Sequence, residues 1–181
     1  MGMSEQMPSQ SSKASIALAG ALDKIHVLVQ SVDDHQYVCT DVVGFSSPMG
    51  AHVRHCIDHV DALLLGLQEY PDREIRYDRR ERGTRIETDR SEGLQSCTDR
   101  KYQIQQLDPK ALEGSVRVLA MVTPDHPEIL FESTAMRELL YVFHHTVHHL
   151  ALMAAHARHL GLSLDKGLGR APATLAADQD S

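Results

Sequence analysis

Seven of the chain's twelve histidines fall in two short stretches, HVRHCIDH at residues 52–59 and HHTVHH at residues 144–149. A neutral imidazole is a nitrogen ligand for Zn²⁺, Ni²⁺, Fe²⁺ or Cu²⁺, and its ordinary pKa lets it exchange a proton near neutral pH. Spacing decides whether such groups can act together. On an α-helix, residues four apart lie one above the other on the same face. His145 and His149 have that spacing, as do His55 and His59, while His52 and His55 are three apart. Two imidazoles from one helix and one from another make a three-nitrogen site with open positions, the form of a catalytic rather than a closed structural metal centre. With no anionic ligand the ion keeps its full charge. It can then lower the pKa of a bound water towards ~7, or take up a thiolate or carboxylate.

Helical phase narrows the choice on the last helix. Leu139, Val142, Phe143, Val147, Leu150, Met153 and Ala154 form an apolar arc. His145 and His149 stand at one edge of it, and His144 and His148 are expected on the other side, in line with Arg137 and Tyr141. The earlier stretch is less decided. His52, His55 and His59 all lie at the edge of the face made by Val53, Cys56, Ile57, Val60, Leu63, Leu64 and Leu67. Phase slightly favours His52 and His59, which sit nearer Leu63. The small residues Ala62 and Gly66 in the His55 stripe would leave room for a ligand. The plainer alternative is that these histidines are solvated or hydrogen-bonded structural groups.

Elements of the right length exist to carry them. Residues 16–32 repeat apolar positions at three- and four-residue steps and predict a first helix. Ser47 and Pro48 read as N-cap and first position of a second helix running to about Gln68. Residues 70–90 form a highly charged link. Ser91 reads as the N-cap of a third helix over residues 92–107, ended by Asp108-Pro109. Residues 116–122 and 128–132 flank the turn TPDHP and predict a hairpin. Ser133 or Thr134 caps a long last helix that Gly161 stops. The fold class expected is therefore mainly α: a four-helix bundle with a short β-hairpin inserted before the last helix, whose core is a natural place for a metal. The expected layout is a flexible tail over residues 1–14, the domain over 15–163, and an extension over 164–181.

Bulk properties exclude several classes. The 181 residues suit one domain. A net charge of −7 opposes general nucleic-acid binding, which needs a basic face. No apolar run is long enough to span a bilayer, and the polar N-terminus lacks the apolar segment of a signal peptide. The three scattered cysteines, Cys39, Cys56 and Cys97, fit a reducing cytoplasm and no Cys-type zinc site. Cys56 reads as a small core residue. Within the charged link, Arg76, Arg79, Arg80, Arg82 and Arg85 form either a solvated loop with internal ion pairs or a lid that offers guanidinium groups to an anionic substrate, with Gly83 as a flexible point. Asp58 and Asp61 point away from the His55 stripe.

The stretches PMGAHVRHCIDHV and HTVHHLAL, together with a hairpin just before the last helix, resemble the DinB-like, DNA-damage-inducible superfamily of four-helix-bundle proteins. The resemblance covers roughly residues 16–162. It implies a divalent transition metal, Zn or Ni first, held by His55, His145 and His149. It also implies metal-assisted activation of a thiol or water for S-transfer or hydrolysis, a small-molecule substrate accompanied by a low-molecular-weight thiol, and a homodimer. The chain departs from the pattern at Leu150, where many members carry Arg-Gly-Gln or an acidic residue, so the usual substrate-side contacts do not carry over. The rival expectations are a non-catalytic metal-binding or stress-response protein, and a helical interaction module without metal.

Overall fold

A computed structural model describes residues 9–40, 44, 46–68, 73–79 and 83–179. Four helices of sixteen residues or more dominate it: α1 (Gln10–Gln30), α3 (Met49–Gln68), α5 (Arg90–Gln105) and α6 (Ala135–His159). Short helices α2 (Asp34–Val38), α4 (Arg85–Thr88) and α7 (Pro172–Gln179) and a 3₁₀ turn (Pro109–Leu112) fill the connections. The protein is mainly helical with one small sheet. α1 packs against α5 and α6, and α3 packs against the same two helices. Leu18, Leu22, Ile25, Val53, Ile57, Leu63, Ile104, Leu139, Val142 and Leu150 meet in the shared core with almost no exposure. Burial of these apolar stripes, which recur at three- and four-residue steps, is what holds the long helices together.

The sheet has three strands in the order β1 (Glu74–Arg76), β2 (Ser115–Ala120) and β3 (Ile129–Thr134). β2 and β3 form the expected antiparallel hairpin, with Ala120 opposite Ile129 and Ser115 opposite Thr134. β1 lies in the charged link and pairs parallel to β2, Ile75 opposite Val118. Nothing in so short and charged a stretch announces a strand. The packing does so: a side chain at Gly66 would meet Ile75 Cγ1 at 2.5 Å and the Glu74 carbonyl oxygen at 2.7 Å. The small residue read as room for a ligand is instead the seat of β1.

The helix ends correct several expectations. α1 begins six residues before the expected start, with Ser9 accepting from the Ser12 amide at 3.2 Å. Part of the segment expected to be a tail is therefore helical. α5 is capped by Asp89, not Ser91: its carboxylate accepts from the amides of Ser91 at 3.0 Å and Glu92 at 3.3 Å. A carboxylate at the positive end of a helix is favoured by the dipole as well as by the amides it accepts from. α7 lies in the expected extension, and Leu164 and Leu168 before it pack against the core. α6 starts and stops where expected. Thr134 accepts from the Arg137 amide, and Gly161, at φ +87°, closes a Schellman turn through Leu162 N–H to Ala157 O and Gly161 N–H to Arg158 O. Tyr70, Arg80, Glu81 and Arg82 lie outside the described residues.

α2 brings Tyr37 into a fully buried slot between α3 and α5, where its hydroxyl donates to the Ile86 carbonyl at 2.7 Å. Gly50 makes that slot possible, because a Cβ there would collide with the Glu87 carbonyl oxygen and stand 2.7 Å from the Tyr37 ring. Gly50→Ala should cost about 1–3 kcal/mol, since backbone must move. Gly20→Ala, with nothing within 4 Å of its Cβ position, should be neutral or stabilising by up to about 1 kcal/mol. Denaturant unfolding of the two variants checks the contrast, and equal effects would contradict the packing described.

Candidate metal centre

α3 and α6 run past each other so that their histidines meet in rungs. His55 Nε2 and His145 Nε2 are 2.9 Å apart. One turn along, His52 Nδ1 and His149 Nδ1 are 3.0 Å apart. In the other direction, the His59 ring lies 6.2 Å from that of Tyr141. The chain positions confirm an antiparallel offset: one partner's number rises as the other's falls. The rungs are cross-connected as well. His55 lies 4.4 Å from His59 and 4.7 Å from His149, while His145 lies 4.1 Å from His59 and 4.6 Å from His149, measured between ring centroids.

The structure therefore brings all three expected residues, His55, His145 and His149, into one cluster. It adds His59, which is buried. Nitrogens of His55, His59 and His145 lie within 4.8 Å of one another. Helical phase had favoured His59 over His55. In the fold both face α6, because α3 presents a broad face rather than a single line of residues. His144 and His148 are exposed, as expected. Arg137 and Tyr141 are not in line with them. Arg137 sits 5.5 Å over the Tyr141 ring and Tyr141 stacks 5.7 Å from His145, so Arg137, Tyr141, His145 and His149 form one i, i+4 stripe.

The donor set fits a transition metal. His59 Nδ1–H donates to the His55 carbonyl oxygen at 2.9 Å, which in the neutral ring selects the tautomer with its proton on Nδ1. Ligating histidines are normally oriented in this way by a carbonyl or carboxylate. Burial and neighbouring imidazoles keep others neutral. Desolvation, followed by His59 and His148, pushes His145 down to about 4. Desolvation, then His55, His145, His52 and His148, pushes His149 down to about 3. Desolvation also lowers His52, with His156 and His148 adding to it. A neutral imidazole is the ligand form.

These shifts set a pH dependence for the metal-free protein. Both folded values lie below the ordinary 6.5, so the folded chain binds fewer protons than the unfolded one. The stability involved is complete above pH 6.5 and is lost as pH falls through about 4 and about 3. The thermal midpoint should fall on acidification through that window. A His145→Ala/His149→Ala variant should show a flatter profile, and an equally steep one would contradict the assignment.

Around the cluster lies a second set of polar groups that periodicity did not identify. Glu138 is completely buried. It accepts hydrogen bonds from Tyr77 Oη at 2.8 Å, Ser133 Oγ at 2.6 Å and Arg137 at 2.7 Å. Tyr77 in turn stacks on His59 at 5.2 Å. Burial and the Glu138 carboxylate raise the Tyr77 phenol far above its usual pKa, and burial raises Tyr141. The sequence offers Glu138 and Tyr141 on the last helix either as partners of the site or as surface groups, and in the fold Glu138 is buried. Two described arginines of the charged link are held in ion pairs. Arg76 pairs with Glu74 and Glu128, and Arg85 pairs with Asp89 and Glu92. Asp61 is engaged by Arg100 on α5, and Asp58 lies beside Arg54. Cys56 is fully buried, and burial raises its thiol pKa well above the usual range.

Among the described residues, no helix is long and apolar enough to cross a membrane. No protein family model matches the chain, and no solved structure matches it. It is similar to FK506-binding protein 5 of Rhizopus delemar, at 30% identity over 102 residues. That match spans 56% of this chain and only 26% of the other protein, so the chain covers about a quarter of that relative's length.

Proposed function

We propose that the protein is a metal-dependent protein of the DinB-like type, with α1, α3, α5 and α6 as its four-helix bundle and a Zn²⁺ or Ni²⁺ ion between α3 and α6. The observation that carries this reading is the convergence of imidazoles from two helices, several of them held neutral. His55 and His145 form the central pair, with His149 as the third ligand. A bound ion would supply a Lewis-acid centre for activating a thiol or water, which is the basis for proposing S-transfer or hydrolysis of a small molecule. The chain's own groups set the surroundings. The Glu138–Tyr77 pair braces His59 from behind, and Tyr141 offers a phenol that stays protonated, and so remains a hydrogen-bond donor, beside His145.

A second reading replaces His149 by His59. It is favoured by the compactness of the His55, His59 and His145 nitrogens and by the carbonyl that orients His59.

The direct test is elemental analysis of untagged protein purified without immobilised metal. About one transition metal per chain is expected for a single three-nitrogen site. Absence of metal even after incubation with Zn²⁺ or Ni²⁺ would overturn the reading and leave the histidines as structure.

A further inference from the structure

His52 has no role in either ligand set, yet its ring nitrogen lies within hydrogen-bond distance of His149. Two imidazole nitrogens 3.0 Å apart share one proton: one donates and the other accepts. The direction matters. If His52 donates, His149 Nδ1 accepts, its proton resides on Nε2, and His149 cannot ligate through Nε2. If His149 donates, its Nε2 is a lone pair. The two nitrogens of an imidazole point in divergent directions. With Nδ1 aimed at His52, Nε2 points away from it, and the two nearest rings to His149 are those of His145 and His55.

We infer that His52 is a positioning residue: its Nδ1 accepts a hydrogen bond from His149 Nδ1–H and so holds His149 in the tautomer whose Nε2 carries the lone pair. This rests on the three-imidazole reading above. The arrangement repeats one already present in the cluster, where the His55 carbonyl takes the Nδ1 proton of His59. In both cases α3 supplies the acceptor, once from backbone and once from a side chain. An orienting acceptor of this kind sets the direction of the ligand and raises its basicity. His52 stands three residues before His55 on the same helix face. The helix that provides one ligand of the central pair thus also orients the ligand on its partner.

The test uses the full chain. Long-range ¹H–¹⁵N correlation spectra of the metal-free protein should show His149 protonated on Nδ1 and bare on Nε2. In His52→Ala the proton should move to Nε2, the site favoured in an isolated side chain. A His149 already protonated on Nε2 in the wild type would overturn the inference, whatever the outcome for metal. Chelator competition then measures Zn²⁺ affinity. His52→Ala should weaken it by about 10- to 100-fold, the usual effect of losing an orienting group. His52→Asn should restore it to within about threefold, because its amide oxygen can take the same proton. Circular dichroism checks that each variant is folded. Equal affinity of wild type and His52→Ala would sink the positioning role while leaving the metal site standing. No binding by the wild type would sink the metal reading, and the tautomer would still decide this inference.

Discussion

His55→Ala and His145→Ala should each abolish stoichiometric metal binding. Structural zinc sites with four ligands bind with roughly 10–16 kcal/mol, or about 3 kcal/mol per ligand, so one lost imidazole weakens affinity by on the order of 100- to 1,000-fold. These two residues belong to every compact ligand set in the cluster. Their Nε2 atoms lie 2.9 Å apart, and each ring lies within 5 Å of both His59 and His149 between centroids. The flanking residues separate the two readings. With His149 as third ligand, His149→Ala loses metal and His59→Ala keeps most of it; with His59 as third ligand, the order reverses. Metal content and chelator competition on the four variants measure all of this. Retention of full metal by both His55→Ala and His145→Ala would end the metal-site reading.

Glu138→Ala should be among the most destabilising single changes in the chain, at about 3 kcal/mol. The carboxylate is fully buried and takes hydrogen bonds from Tyr77, Ser133 and Arg137. Its removal leaves the buried Tyr77 hydroxyl without its acceptor, which alone costs about 1–3 kcal/mol, and opens a cavity besides. Arg137 is largely exposed, so its freed charge returns to water and adds little. Glu138→Gln keeps the volume and one acceptor oxygen, and should cost about 1–2 kcal/mol. Urea unfolding resolves the difference, and a Glu138→Ala variant within about 0.5 kcal/mol of wild type would contradict the network's role. Loss of Glu138 also loosens Tyr77, and with it the stacked wall behind His59.

Much of this was legible in the sequence, for stated physical reasons. α6 is long, strongly periodic, capped by Thr134 and stopped by Gly161, so its ends and the inward His145 and His149 could be read directly. The hairpin announced itself by two β-prone runs around a proline-bounded turn. The failures share a cause: they depend on partners distant in sequence. β1 is three residues long and exists because Val118 and the Gly66 notch receive it. Ser91 reads as the cap in the sequence, and Asp89 takes that place because α4 ends at Thr88 and leaves Asp89 at the start of α5. Gly66 looked like space for a ligand because a missing side chain does not say what occupies its place. His52, His55 and His59 could not be ranked because phase assigns a face but not the partner on it. The antiparallel register against α6 is what gives each a separate task.

That register bears on which changes of length the chain can absorb. A single residue inserted between His52 and His59 would turn everything beyond it by about 100° about the helix axis, and at least one rung would lose its partner. The same holds between Tyr141 and His149 on α6. Of residues 121–128, which join β2 to β3, 121–127 are exposed and belong to no rung. Extra length there costs only loop-closure entropy, about 0.6 kcal/mol per doubling. Divergent versions of this architecture would therefore keep the spacings between their rungs residue for residue, while the hairpin tip drifts freely in length.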